Sequence, residues 1–362
     1  MLLTKQHIMR QYLSDADVQI LKDNIATAEQ LGHLTTEQLE VLYRNNLFNL
    51  FVPKQYNGLE LDFIDALRVE EQLATIDGSL GWTVTLCAGA NMFVGFLDAN
   101  ESDKVFQDAK VCFGGSGKVS GVAREEGEYY LINGTWDIVT GLHHCTVFTA
   151  NCHLEVNGEL QYDAEGRPVY KSFFFLPSEV TTKNSWDTLG LIATGSHSIV
   201  AEGLCVPKSR SFSITSEACT IDTPLYKFPF YPFAKFTLAV NQLGMQYHFL
   251  QEVEVYFNKL KGGVYEQFQT ELLVKLQTAY HTRREAFYDL ASTTWQKVQE
   301  GIELTEEECN TIDKLCKEVV YQGRDEVIQH LPYLGMYGVN NSSPISRIVR
   351  DILTACQHSL FL

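Results

Sequence analysis

Apolar positions recur with helical spacing from the start of the chain to about residue 108. TTEQLEVLYRNNLF offers Thr36 as an N-cap ahead of such a pattern. FVPKQYNGLEL breaks the helix at Pro53 and Asn57-Gly58. DFIDALRVEEQLATID resumes it, with Ile64, Leu67, Val69 and Leu73 inward. DGSLGWTVTLCAGANMFVGFL is apolar on nearly every side, which predicts a helix buried all round.

The period changes between 109 and about 215. YYLING, TWDIVT, CTVFTANCHLEV and KSFFFLP are short, rich in aromatic and β-branched residues, and separated by glycine turns and charged loops. They predict a β domain, a small barrel or sandwich. FGGSGKVSG (113–121) lacks the glycine spacing of a nucleotide-binding turn and reads as a linker or flexible loop. The proline-rich TPLYKFPFYPFAK (223–235) leads into long amphipathic stretches that predict a bundle of three or four helices. The expected domains are 1–108 helical, 109–222 β and 223–362 helical bundle.

Composition narrows the function. The net charge of -17, with no dense Lys/Arg cluster, argues against nucleic acid or another polyanion as partner. The N-terminus lacks a secretory apolar core, and no run approaches the 18 apolar residues of a membrane span. Nine cysteines, an odd number with no CxxC pair, point to a reduced cytoplasmic protein.

GTWDIVTGLHHC (134–145) holds the densest candidate chemistry. Cys145 and Cys152 differ by an odd number, so one continuous strand sends them to opposite faces, and no metal site is expected. The same parity puts Trp136, Ile138 and Thr140 on one face. A buried strand explains that face equally well. A flavin-binding wall explains it too, because Thr140 supplies a hydroxyl and Gly141 lets backbone approach closely. TLGLIATGSHSIV (188–200) repeats the small polar character with Thr194, Gly195, Ser196 and His197. In SSPISRIVRDILTACQHSLFL, a helix from Pro344 lines up Arg347, Asp351, Thr354 and His358 as a polar stripe, with Arg347 and Asp351 spaced to pair. A solvated face gives the same stripe.

Taken in order, VPKQYNGLEL, VEEQLATIDGSLGW, YYLINGTWDIVTG, DTLGLIATGSHSIVAEGLCVP and SPISRIVRDILTACQH resemble the acyl-CoA dehydrogenase superfamily, most closely its flavin-dependent monooxygenase-like branch. The resemblance implies an α+β fold: an N-terminal helical domain, a middle β-barrel domain and a C-terminal four-helix bundle that assembles a homotetramer as a dimer of dimers. It also implies FAD or FMN bound by Trp136, Ile138, Thr140, Gly141, Thr194, Gly195 and Ser196. Thr140 and His358 would be catalytic, His358 through proton exchange. His143, His197, Arg347 and Asp351 would position substrate. The partners implied are a small substrate, aromatic ones included, and a separate flavin reductase. The loop GMYGVNNSSPISRIVRD has no carboxylate before Asp351, against an acyl-CoA dehydrogenase base there, though Glu252 or Glu254 could serve. FNKLKGGVYEQF (257–268) lacks the arginine that commonly reaches an FAD diphosphate, with Arg283 or Arg284 as substitutes. Acyl-thioester dehydrogenation and a non-catalytic scaffold are the alternatives.

Overall fold

The computed structural model describes residues 12–362. Among the described residues six helices come first: α1 (Asp15–Asp23), α2 (Ile25–Leu31), α3 (Thr36–Arg44), α4 (Phe63–Ile76), α5 (Gly78–Asn91) and α6 (Ala99–Val105). The cap of α3 is Thr35, one residue before the expected Thr36. Thr35 is the residue three places ahead of Gln38, and the two close a reciprocal capping box. Asp77 is extended between α4 and α5, and its carboxylate accepts from Leu80 N–H to cap α5. The segment Gly78–Phe96 is long and apolar enough to cross a membrane, but 83% of its most apolar window is buried inside this fold.

Eight strands follow: β1 (Phe113–Glu126), β2 (Tyr129–Val139), β3 (Val147–Val156), β4 (Glu159–Leu160), β5 (Tyr170–Phe175), β6 (Thr181–Lys183), β7 (His197–Pro207) and β8 (Ser211–Phe212). They form one sheet in the order β6-β7-β2-β1-β3-β5-β8, with β4 on β3. The expected barrel is therefore absent. The edge strands β6 and β8 hold three and two residues, and no pairing joins them. Alternating apolar residues specify a buried face, but closure depends on edge length and stagger, which alternation does not encode.

The glycine-rich 113–121 segment is likewise not a loop. It is the first half of β1, antiparallel to β2 and parallel to β3. Its glycines mark close approaches. A Cβ on Gly121 would come within 2.3 Å of the Trp136 ring, and one on Gly114 within 2.6 Å of Cys145 Sγ.

The last region holds α7 (Pro224–Lys227), α8 (Phe230–Lys259), α9 (Glu266–Gln299), α10 (Glu306–His330), α11 (Gly335–Val339) and α12 (Pro344–Ala355). α8 packs on α9, α10 and α12, and also on α4 and α5. This double duty explains why its residues from Phe236 to Gln246 are all buried, polar Asn241 and Gln242 included. α12 is short and strongly two-faced: Ile345, Ile348, Val349, Ile352 and Cys356 are buried as its spacing predicts.

Candidate active site

The site begins with a defect in β2. Trp136 pairs with Ile199 and Val139 with His197, so β2 carries one extra residue there. Ile138 takes up the surplus at φ 62°, a left-handed conformation that is strained for a β-branched side chain. This bulge breaks the expected shared face. Trp136 is fully buried, packs on Phe175 and donates from its indole N–H to Asn151 O at 2.9 Å. Ile138 is 58% exposed, and Thr140 is buried beyond it. Asp137 accepts from Ser198 Oγ, which contacts Ser185 Oγ.

Thr140 meets the second Thr-Gly segment. Thr140 Oγ1 lies 2.9 Å from Ser196 Oγ, and Ser196 Oγ lies 2.7 Å from Thr194 Oγ1. Thr194 donates to Leu191 O at 2.8 Å. Only one arrangement of protons satisfies all three contacts. Thr194 gives its proton to a carbonyl, so Ser196 must donate to Thr194, and Thr140 must donate to Ser196. The Thr140 oxygen is left with acceptor capacity only. Gly141 N–H donates to Thr194 O at 2.9 Å, which locks the two segments together. Gly195 follows at φ 53°, against His143.

The terminal helix holds this corner from behind. Asp351 accepts from Leu191 N–H at 2.6 Å, and Thr354 accepts from Gly190 N–H at 2.9 Å. Leu191, itself at φ 52°, also accepts from Trp186 Nε1. The expected Arg347–Asp351 pair is thus replaced. Arg347 turns to Asp77 at 3.5 Å and Glu29 at 3.8 Å, while Asp351 faces the 190–191 turn. Burial, then the nearby Asp77, push the Asp351 carboxyl well above the usual range.

His358 lies outside α12, which ends at Ala355. Its ring meets Trp82 edge to face at 5.8 Å, and its Nδ1 accepts from Leu360 N–H at 3.3 Å. Burial pushes it down to about 4, so it is neutral at pH 7 with its proton on Nε2. Trp82 and Cys87 share α5, and Cys87 Sγ faces Thr140 O at 3.9 Å. His358 and Thr140 therefore touch one helix at points about 7.5 Å apart along its axis.

His143 stands between His33 (4.7 Å between centroids) and His197 (5.3 Å). Burial, then the neighbouring imidazoles, lower its affinity for a proton. His197 Nδ1 accepts from the N–H groups of Ser185 and Trp186, both at 3.0 Å. Arg283 and Arg284 are committed elsewhere. Arg284 is bidentate to Glu71, and Arg283 binds Glu326 and Gln246. Glu252 lies beside Tyr337, and Glu254 is exposed.

The parity argument for Cys145 and Cys152 does not apply, because β3 starts at Val147 and Cys145 lies in the turn before it, where it has other neighbours. Cys87, Cys112, His144 and Cys145 gather beneath Gly141. Hydrogen bonds from Cys112 and Cys145 hold the Cys87 thiol well below its usual range, and burial pushes those of Cys112 and Cys145 up. Sequence reasoning missed Cys87 and Cys112. They come from an apolar helix and the residue before a strand, with no spacing to His144 that marks them.

Helical regions before and after an open mixed sheet, with the site at one corner of the sheet and a short terminal helix bracing it, define an acyl-CoA dehydrogenase-type fold. The chain belongs to the acyl-CoA dehydrogenase family: that family's N-terminal domain matches residues 5–101 and its C-terminal domain residues 267–362, together more than half of the sequence. It is 28% identical over 239 residues to the flavin-dependent monooxygenase oxygenase subunit HsaA of Mycobacterium tuberculosis, an alignment covering 63% of this chain and 58% of that protein. It is 24% identical over 370 residues to indole-3-acetate monooxygenase of Pseudomonas putida, covering 94% and 88%. The crystal structure of HsaA from M. tuberculosis superposes with a TM-score of 0.89 at 20% identity, over 99% of this chain and 94% of that one. XiaF from Streptomyces, in complex with FADH2 and glycerol, gives 0.85 at 20% identity, over 99% and 91%.

Proposed function

We propose that this chain is a flavin-dependent oxygenase component that takes up reduced flavin, FAD or FMN, from a separate reductase and hydroxylates a small substrate. The observation that carries this reading is the one-way hydroxyl relay that starts at Thr140, beside the exposed Ile138. Ile138 offers an aliphatic surface suited to the face of a flavin ring, and Thr140, Ser196 and Thr194 supply its polar border. A bound flavin supplies two-electron and oxygen chemistry that no side chain carries. Oxidised flavin N5 accepts hydrogen bonds, and reduced N5 carries a proton. An acceptor-only Thr140 oxygen therefore favours the reduced ring. The relatives whose names describe monooxygenases support the same direction.

His358 acts as a neutral donor through Nε2–H toward an oxygen on the substrate, and with an affinity as low as about 4 it is a poor base. This replaces the proton-exchange role expected from sequence. Asp351 and Thr354 position the 190–191 turn and Arg347 pairs with Asp77 and Glu29, rather than touching substrate. Trp136 supports the bulge from the core. With Arg283 and Arg284 both engaged, a diphosphate contact must come from elsewhere, including a neighbouring subunit. Exposed Val264, Tyr265, Phe268, Tyr333 and Met336, with Phe268 packed on Tyr333, give a homotetramer apolar side chains to bury. The nine free cysteines suit a reducing, cytoplasmic setting.

The test is anaerobic titration with FMN and FAD in both redox states, followed by oxygen and a panel of phenols and indoles. Tighter binding of the reduced forms, and a narrower preference in Ser196→Ala, support the reading. Bleaching of bound flavin by an acyl-CoA without reductase sinks it in favour of dehydrogenation, and failure to bind any flavin sinks it in favour of a scaffold.

A further inference from the structure

Behind the Thr140 peptide, four side chains from three separate segments converge. Cys87 sits on α5, Cys112 just before β1, and His144 and Cys145 in the turn after β2. Their candidate ligand atoms all lie within 4.8 Å of one another. The three cysteines are buried free thiols. His144 Nε2 is buried with no hydrogen-bond partner, a state that costs about 1–3 kcal/mol unless something satisfies it. The surrounding backbone is pared back to admit the group. A Cβ on Gly141 would lie 2.9 Å from His144 Nε2 and 3.1 Å from Cys87 Sγ. Phe48 stacks on the His144 ring at 5.3 Å, and Tyr43 donates to His144 O at 3.2 Å, so the imidazole is fixed from outside the cluster.

We propose that Cys87, Cys112, Cys145 and His144 Nε2 bind one Zn²⁺ ion as a tetrahedral structural site. Three soft sulfurs and one imidazole are the ligand set that zinc takes in closed sites. Tetrahedral zinc with bonds of about 2.3 Å to sulfur holds its thiolates about 3.8 Å apart, so the cluster needs to contract by about 1 Å at most. Each thiol releases its proton to solvent as its metal bond forms, and the filled site carries one net negative charge. Four protein ligands leave no open position, so the ion does no chemistry on a substrate. It ties α5, β1 and the turn after β2 into one unit. Cys87 and Cys145 Sγ donate to Thr140 O at 3.9 and 3.7 Å, bonds that give up their protons when the metal binds, so the ion sits directly behind the peptide from which the hydroxyl relay starts. The site does not depend on the flavin reading.

Metal analysis of tag-free, full-length protein grown with added zinc tests this. The expected content is about one zinc per chain. Cys112→Ser and His144→Ala should each lower it at least about tenfold, and Cys152→Ser, a buried thiol outside the cluster, should leave it unchanged. Cobalt added to wild-type protein purified with a chelator should give the visible bands of a tetrahedral thiolate complex, an arm that needs no variant to fold. Wild-type protein with neither zinc nor those bands overturns the proposal. So does zinc retained by both variants, or peptide mapping that finds a disulfide among Cys87, Cys112 and Cys145.

Discussion

Thr140 has two sides, and they are built from different chemistry. Its side chain joins a chain of hydroxyls from Ser196 and Thr194. Its carbonyl faces the thiols of Cys87 and Cys145. The hydroxyl side is fully satisfied and has a direction. The sulfur side holds an orphaned imidazole nitrogen and three thiols that can bond only weakly to one another. The first is a finished hydrogen-bond network suited to present one acceptor. The second has donor atoms in excess of partners, which is what a metal-ligand set looks like before its ion is counted.

The largest expected effect comes from the residue that separates the two. Gly141 has φ 76°, and its N–H bonds Thr194 O on the hydroxyl side. On the sulfur side, a Cβ would sit 2.8 Å from the His144 ring. Gly141→Ala adds left-handed backbone strain to a clash with groups that packing holds in place. It should cost about 4 kcal/mol in denaturant unfolding. A loss under about 1 kcal/mol would show that the turn can move away from the cluster, and the two sides would not be one rigid unit.

How much of this was legible in the sequence follows the same division. The hydroxyl side sits in two Thr-Gly segments, each continuous in sequence, so TWDIVTG and IATGSHS could be matched by eye. The sulfur side joins residues 87, 112, 144 and 145, and no local period links them. Strand parity treated Cys145 and Cys152 as one strand, yet β3 starts only at Val147, and parity cannot see a helix arriving from elsewhere. Parity also failed within β2, because the bulge at Ile138 adds a residue that nothing in the local pattern announces. The 113–121 glycines read as a loop because their purpose, room for Trp136 and Cys145, lies in other strands. Helices fared better: α12 shows its burial stripe plainly, since i, i+3 and i+4 neighbours meet whatever the rest of the chain does.

α5 runs past both sides, with Cys87 at the sulfur cluster and Trp82 against His358, and this gives the second test. His358 is depressed from 6.5 to about 4 by burial. Above pH 6.5 the imidazole is neutral folded or unfolded and contributes no pH dependence. Between 6.5 and 4 the unfolded chain takes the proton and the folded one does not, so stability is lost as pH falls through that window. The loss attributable to this residue is about 3 kcal/mol. Urea unfolding of wild type and His358→Gln at pH 7 and at pH 4 measures it as a difference, which cancels the other titrating groups. Wild type should lose about 2–3 kcal/mol more than the variant. Parallel losses would mean that the ring reaches solvent, and the neutral-donor role would go with it.

The smallest effect is also the most pointed. Ile138 is a β-branched residue at φ 62°, with 58% of its surface exposed. Within this chain it gains little from packing to set against its strain. Glycine adopts that conformation freely, though it loses more entropy on folding. Ile138→Gly should therefore raise stability by roughly 1 kcal/mol, as the relief of strain exceeds the entropy cost. The same change removes the aliphatic surface beside Thr140, so reduced flavin should bind several-fold more weakly. Opposite signs in the two measurements are what a residue strained for the sake of a ligand produces. A variant that is less stable and binds flavin as before would show that Ile138 serves the fold. The exposed half of the comparison would then be an ordinary strand end, and the hydroxyl relay would have to account for cofactor binding without an apolar wall.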